Sequence, residues 1–301
     1  MTKEARGAAS LVAAISIWGA TFALSKLALR HLAPGELAFL RQAFGLPPLL
    51  WLAWRTRSVG LPLRYLFPLA ATGMVGYFLF TNLGLDRASA SVGALVQALA
   101  PVLIAIGAVT FLRERPTRRI VAGIVLALVG AAVLAWGALH VTSTLGLVFL
   151  FLSVASWAAY AVLGRHLGDR VTVVQATVLP VCLSVVAFAF GPLFEDWQAA
   201  GAGTIAFAAA LGVFGSGVAY LLWSYGIARV PAARAGVYAN LVPVVALLIA
   251  WLALDESLTP RQALGGAIVI AGALLASSPG AGSLTRAAWH RRRARASPDR
   301  A

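Results

Sequence analysis

One pattern occurs twice in this chain. Pro101, Glu114, Gly123 and Gly130 return as Pro243, Glu256, Gly265 and Gly272, each displaced by 142 residues. The same displacement carries Gly73 to Gly215, Gly84 to Gly226, Arg87 to Arg229, Thr117 to Thr259 and Arg119 to Arg261. Self-similarity at a fixed offset means that one structural module is used twice, so any fold for one copy must also serve the other.

The module is apolar throughout. Hydrophobic residues make up 60% of the chain and charged residues 11%, where a soluble domain carries about 25% charged. Residues 66–82, 89–112 and 120–139 contain no charge, close to the ~20 residues that cross a bilayer core. A backbone in lipid must satisfy its own polar groups, which leaves helices or a closed barrel; strict alternation is absent, so helices are expected. The fold class is therefore an all-α integral membrane protein. Ten transmembrane helices are expected at 8–30, 34–54, 64–83, 88–112, 118–136, 144–163, 172–194, 203–225, 232–254 and 260–277, with short loops. Lys3 and Arg6 precede a first span that leads into others, so it is read as uncleaved. The single Cys182 excludes an internal disulfide and a thiolate cluster, and reads as an inert core thiol.

Charge placement orients the spans. With the N-terminus inside, 19 of the 24 Lys and Arg residues fall in cytoplasmic segments and only Arg30, Arg87 and Arg261 fall outside. That asymmetry predicts cytoplasmic N- and C-termini. Each copy then holds five spans, an odd number, so the second copy enters the membrane upside down. Domains are expected at 1–139 and 140–279, two inverted five-helix repeats, followed by a disordered basic tail at 280–301. Glu114 stands between Arg113 and Arg115 on the inside; Glu256 keeps the carboxylate outside without the arginines. Inverted repeats are an architecture of secondary transporters, with the solute site at the repeat interface.

The doubled Pro–Glu–Gly–Gly pattern, the ten spans and the Trp18-Gly19-Ala20-Thr21-Phe22 stretch resemble the EamA branch of the drug/metabolite transporter superfamily. The resemblance covers both copies, 8–277. It implies export or exchange of small metabolites or amino acids, and a central cavity lined by spans 1, 3, 4, 6, 8 and 9.

Candidate solute-binding residues are polar or aromatic groups at depth. Trp18, Thr21 and Phe22 lie in span 1, Tyr77 and Asn82 in span 3, and Gln97 in span 4. Trp157 and Tyr160 lie in span 6, Tyr220 and Trp223 in span 8, and Tyr238 and Asn240 in span 9. Uncharged polar groups at depth turn inward for partners, which gives either a pocket for an amphipathic solute or, for Gln97 and Asn240, bridges between helices. Pro101 and Pro243 should kink their spans and serve either as hinges or as tolerated prolines. Glu114 and Glu256 are expected to cap the helices that follow them. Trp51, Trp54, Trp136 and Trp251 read as an interfacial belt.

Two cations are embedded. Lys26 and Arg41 lie within ~7–11 Å of the outer surface by helical rise, and are expected to snorkel or to line an anion-attracting vestibule, with Glu36 and Asp86 as partners. Every carboxylate and histidine lies in a loop, a tail or near a span end, so flux down the solute's own gradient or by exchange is expected. A proton-coupled antiporter is the alternative. A membrane enzyme or a structural membrane protein is a weaker rival: no catalytic pair, metal-ligand spacing or phosphate loop is present, so no cofactor or metal is expected. The partners are a small-molecule solute and the bilayer, with the chain a monomer or weak homodimer. The net charge of +14 serves topology and anionic lipid, not nucleic acid.

Overall fold

A computed structural model describes residues 2–57, 60, 62–112, 117–138, 143–167, 171–197, 200–227, 229, 241–257 and 259–276. Every regular element among them is helical. In chain order these are α1 (Lys3–Ala28), α2 (Pro34–Thr56), α3 (Leu63–Leu69), a π-helix (Ala70–Gly76), α4 (Tyr77–Arg87), α5 (Ala90–Gln97), α6 (Ala100–Phe111), α7 (Arg118–Ala138), α8 (Thr144–Leu167) and α9 (Val173–Ala189). After a 3₁₀ turn (Gly191–Leu193) come α10 (Ala202–Ala210), a second π-helix (Leu211–Val218), α11 (Ala219–Ile227), α12 (Val242–Leu254) and α13 (Pro260–Ala276).

Six helical segments are long and apolar enough to cross a membrane: Lys3–Ala28, Leu63–Arg87, Ala90–Phe111, Thr144–Gly164, Val174–Leu193 and Ala202–Trp223. Of the other four expected spans, 34–54, 118–136 and 260–277 fall on α2, α7 and α13, and only the described part of 232–254 is seen, as α12. The outer surface explains the solvent. Val121, Val125, Leu128 and Val129 stand exposed at helical spacing on α7, and Leu248, Trp251 and Leu252 do so on α12. Water-soluble monomers rarely show contiguous apolar patches of this kind; lipid tolerates them without penalty. Trp51, Trp54 and Trp251 are exposed near helix ends, and the side chain of Trp136 is outside the described residues.

The repeated glycines meet each other. A methyl group on Gly130 of α7 would lie 2.9 Å from the carbonyl of Gly265 on α13, and one on Gly272 would lie 2.7 Å from the carbonyl of Gly123. Only the absence of Cβ lets these backbones approach so closely. The contacts are reciprocal: moving back along α7 from Gly130 to Gly123 moves forward along α13 from Gly265 to Gly272. The two corresponding helices therefore cross antiparallel. Both π-helices also sit at equivalent places, 142 residues apart at their glycines Gly73 and Gly215.

Capping differs from the sequence expectation. Glu256 does not cap α13, which carries its own box: Thr259 N–H donates to Gln262 Oε1 at 2.9 Å and Gln262 N–H to Thr259 Oγ1 at 3.3 Å. The Glu256 carboxylate instead accepts from Ala90 N–H (2.9 Å), Ser91 N–H (2.8 Å) and Ser91 O–H (2.7 Å) at the start of α5, in the other copy. A helix N-terminus offers free N–H donors and a positive dipole end, so a carboxylate there is favoured wherever it comes from. Glu114 lies outside the described residues.

Candidate functional site

The fourth expected span is kinked at a tight turn that stays right-handed helical. α5 ends at Gln97, Ala98 and Leu99 form a tight turn, and α6 begins at Ala100. Leu99 N–H bonds to Val96 O and Val102 N–H to Leu99 O, both at 3.0 Å. Pro101 therefore occupies the first turn of a new helix, where its missing N–H has no intrahelical partner to lose. Pro243 takes the same place at the start of α12. Pro101 follows the turn directly, Pro243 stands in the first turn of α12, before which residues 230–240 lie outside the described residues, and both line a cavity.

That cavity encloses about 200 Å³. Its walls bring together Trp18, Thr21, Phe22, Tyr77, Gln97, Trp157 and Tyr220 of the expected set. Two aromatic clusters face it. On one side the Trp18 ring stands 5.3 Å from both Tyr220, edge to face, and Trp223. On the other, Trp157 stands 5.2 Å from both Tyr77 and Tyr160. Each cluster joins the first span of one copy to the third span of the other. The π-helices carry the third spans into these clusters: Trp18 Nε1–H donates to Gly215 O at 3.1 Å, and the Tyr160 ring covers Gly73. π-helical turns frequently accompany functional sites.

The remaining expected residues stand elsewhere. Trp223 and Tyr160 back the two tryptophans without lining the cavity, and Tyr160 O–H donates to Ala176 O at 3.0 Å. Asn82 is fully buried and donates to Pro34 O at 2.9 Å, tying α4 to the start of α2, so it is a brace and not a cavity group. Tyr238 and Asn240 lie outside the described residues. Lys26 does not face a vestibule: its Nζ donates to Leu85 O (2.5 Å) and Asp86 O (3.2 Å), the open carbonyls in the last turn of α4. The Asp86 carboxylate makes its ion pair with Arg87 at 3.0 Å and acts on Lys26 through charge at longer range.

Arg41 is also displaced from the vestibule expected for it. It lines the central cavity, 6% exposed, and is the one formally charged residue among the described lining. Glu36 is not its partner; Nε donates to Ser216 Oγ and an Nη to Ser25 Oγ, both at 3.1 Å. Gly215 and Gly212 let the second π-helix close on α2. Helical rise measures depth along one helix and says nothing of sideways access, so it missed a cavity reaching α2. Phe78, Ala98, Ala100, Ile104, Gly215, Val242 and Ile270 complete the wall and carry no polar signal a sequence reading could use. Spans 2 and 10 thereby join the six expected to line it.

Comparison with known proteins follows the same division. The model of the EamA-like transporter family matches twice, over residues 5–136 and 144–278. An uncharacterized transporter of Archaeoglobus fulgidus is 30% identical, over 87% of this chain and 95% of its own. A probable terminal-alkyne amino-acid exporter of Streptantibioticus cattleyicolor is 34% identical over 73% and 74%. One crystal structure superposes with a TM-score of 0.65 at 26% identity, covering 90% of this chain and 99% of the other.

Proposed function

The chain belongs to the EamA-like transporter family, and on that premise we propose that it moves a small amphipathic metabolite of the amino-acid class by alternating access. The direction is export or exchange down the solute gradient, across the bacterial inner membrane, with both termini cytoplasmic. The observation that carries this reading is the aromatic cavity at the meeting of the two copies, bordered by a kinked span. Ten spans in two inverted repeats, 1–139 and 140–279, fit the antiparallel crossing of α7 and α13 and the twofold match of one family model. Each cross-copy tryptophan cluster would be made and unmade as the halves rock, giving access to alternate sides. Trp18, Thr21, Phe22, Tyr77, Gln97, Trp157 and Tyr220 would contact the solute, with Pro101 and Pro243 as the hinges. The cavity of about 200 Å³ lies below the ~300–1,000 Å³ of drug-sized pockets, which favours a metabolite over a bulky drug. The amino-acid class also follows the printed description of the Streptantibioticus relative.

The test is counterflow in proteoliposomes loaded with a panel of L-amino acids, without a pH gradient and with a protonophore. Uptake of the labelled solute under those conditions supports the reading. Flux that vanishes there and returns with an imposed proton gradient would replace it with a proton-coupled antiporter.

A further inference from the structure

Resting on the proposed transport reading, we infer that Arg41 anchors a carboxylate on the solute, so that the cavity selects organic monocarboxylates with a compact apolar body. Arg41 is a buried cation facing no carboxylate among the described residues. A guanidinium has five N–H donors in a fixed fork. Two are taken by the hydroxyls of Ser25 and Ser216, and the Phe78 ring lies 4.9 Å from its central carbon. The other three donors have no partner among the described residues. The supports are neutral and come from α1, α4 and the second π-helix, elements of both copies, so the fork is held in place without its charge being cancelled.

A buried charge without a counter-ion is costly unless something supplies the opposite charge. The cavity it borders is lined mainly by aromatic and aliphatic side chains. In such a medium an arginine–carboxylate pair, bidentate where geometry permits, is stronger than in water. A single cation matches a single anionic group; a phosphate dianion would leave one charge unmatched. The kink adds little field of its own, because the C-terminal end of α5 and the N-terminal end of α6 lie together. Gln97, whose amide has no partner among the described residues, offers a neutral second contact, and the Trp18 and Trp157 faces accept an apolar body or an ammonium. A purely structural role needs only donors for the two serine hydroxyls, which a neutral amide also provides.

The experiment uses purified full-length transporter in detergent and in proteoliposomes, with two matched pairs: L-leucine with L-leucinamide, and 3-phenylpropanoate with 3-phenylpropanamide. Binding is read by tryptophan fluorescence and transport by counterflow. The expected result is that the carboxylate binds at least about tenfold more tightly than its amide in whichever pair binds. Arg41→Gln should bring that ratio close to one, and Arg41→Lys should retain part of it. A loss of packing alone would weaken both members and leave the ratio unchanged. Equal binding of carboxylate and amide by the unaltered protein would overturn the anchor while leaving the aromatic cavity as a solute site. So would a ratio that survives in a folded Arg41→Gln variant. Failure of both pairs to bind or move would overturn the anchor together with the amphipathic-solute reading beneath it.

Discussion

Glu256 is the sharpest place to perturb the contact between the two copies. Its carboxylate takes three hydrogen bonds at 2.7–2.9 Å from the first residues of α5, across 165 residues of chain. Removing a cap from a helix start costs ~0.5–2 kcal/mol, and a charge at that position contributes a further ~0.3–1 kcal/mol. Water can reach this half-buried loop and replace part of the loss, and Ser89 still accepts from Val92 N–H at 3.1 Å. Glu256→Ala should therefore destabilise by about 2 kcal/mol, and Glu256→Gln, which keeps one acceptor oxygen, by about 1 kcal/mol. Reversible unfolding in mixed micelles gives these values directly. A double-mutant cycle with Ser91→Ala isolates the hydroxyl contact, for which a coupling of about 1 kcal/mol is expected. Full stability in Glu256→Ala, or a coupling of zero, would refute the reasoning and reduce the bridge to a surface contact.

Other substitutions test separate parts of the account. Gly130→Leu or Gly272→Leu should abolish folded protein on size-exclusion chromatography, because the added carbon meets backbone and not a movable side chain; normal elution would contradict the antiparallel crossing. Lys26→Met should lower stability by about 1 kcal/mol through loss of its carbonyl contacts yet leave the transport rate within twofold, whereas a large drop in rate at normal stability would restore its role as a vestibule charge. Cysteines at positions 114 and 256, on the Cys182→Ala background, should react from the cytoplasmic and external sides respectively; reaction of both from one side would contradict the inverted arrangement.

Legibility depended on the kind of signal. The duplication was visible as residue identities at one offset, and the glycines it singled out, Gly123, Gly130, Gly265 and Gly272, are those at the close backbone approach of α7 and α13. Aromatic residues at mid-span depth were legible as a group: Trp18, Tyr77, Trp157 and Tyr220 face one cavity. Asn82 was misplaced because spacing along one span cannot show that the Pro34 carbonyl of the adjoining helix takes its amide N–H. Glu256 was assigned to the nearest helix start because local spacing cannot reveal a partner 165 residues away. The π-helices left no trace in the pattern, since seven or eight residues are too few to distinguish one helical period from another. Arg41 could have been recognised by asking which hydroxyls on other spans might serve an embedded guanidinium, as Ser25 and Ser216 do.

The most direct measurement is amino-acid counterflow by the Trp18→Ala, Trp157→Ala double variant beside the unaltered protein. Both are reconstituted at equal density after thermal unfolding has established that the variant is folded. The two indoles come from the first expected span of each copy and both line the cavity. The account predicts transient accumulation of labelled solute by the unaltered protein and a loss of at least about tenfold in the variant, since aromatic side chains dominate contact energy in such sites. Equal counterflow by the two proteins would place the solute path elsewhere and leave the tryptophans as packing between the halves.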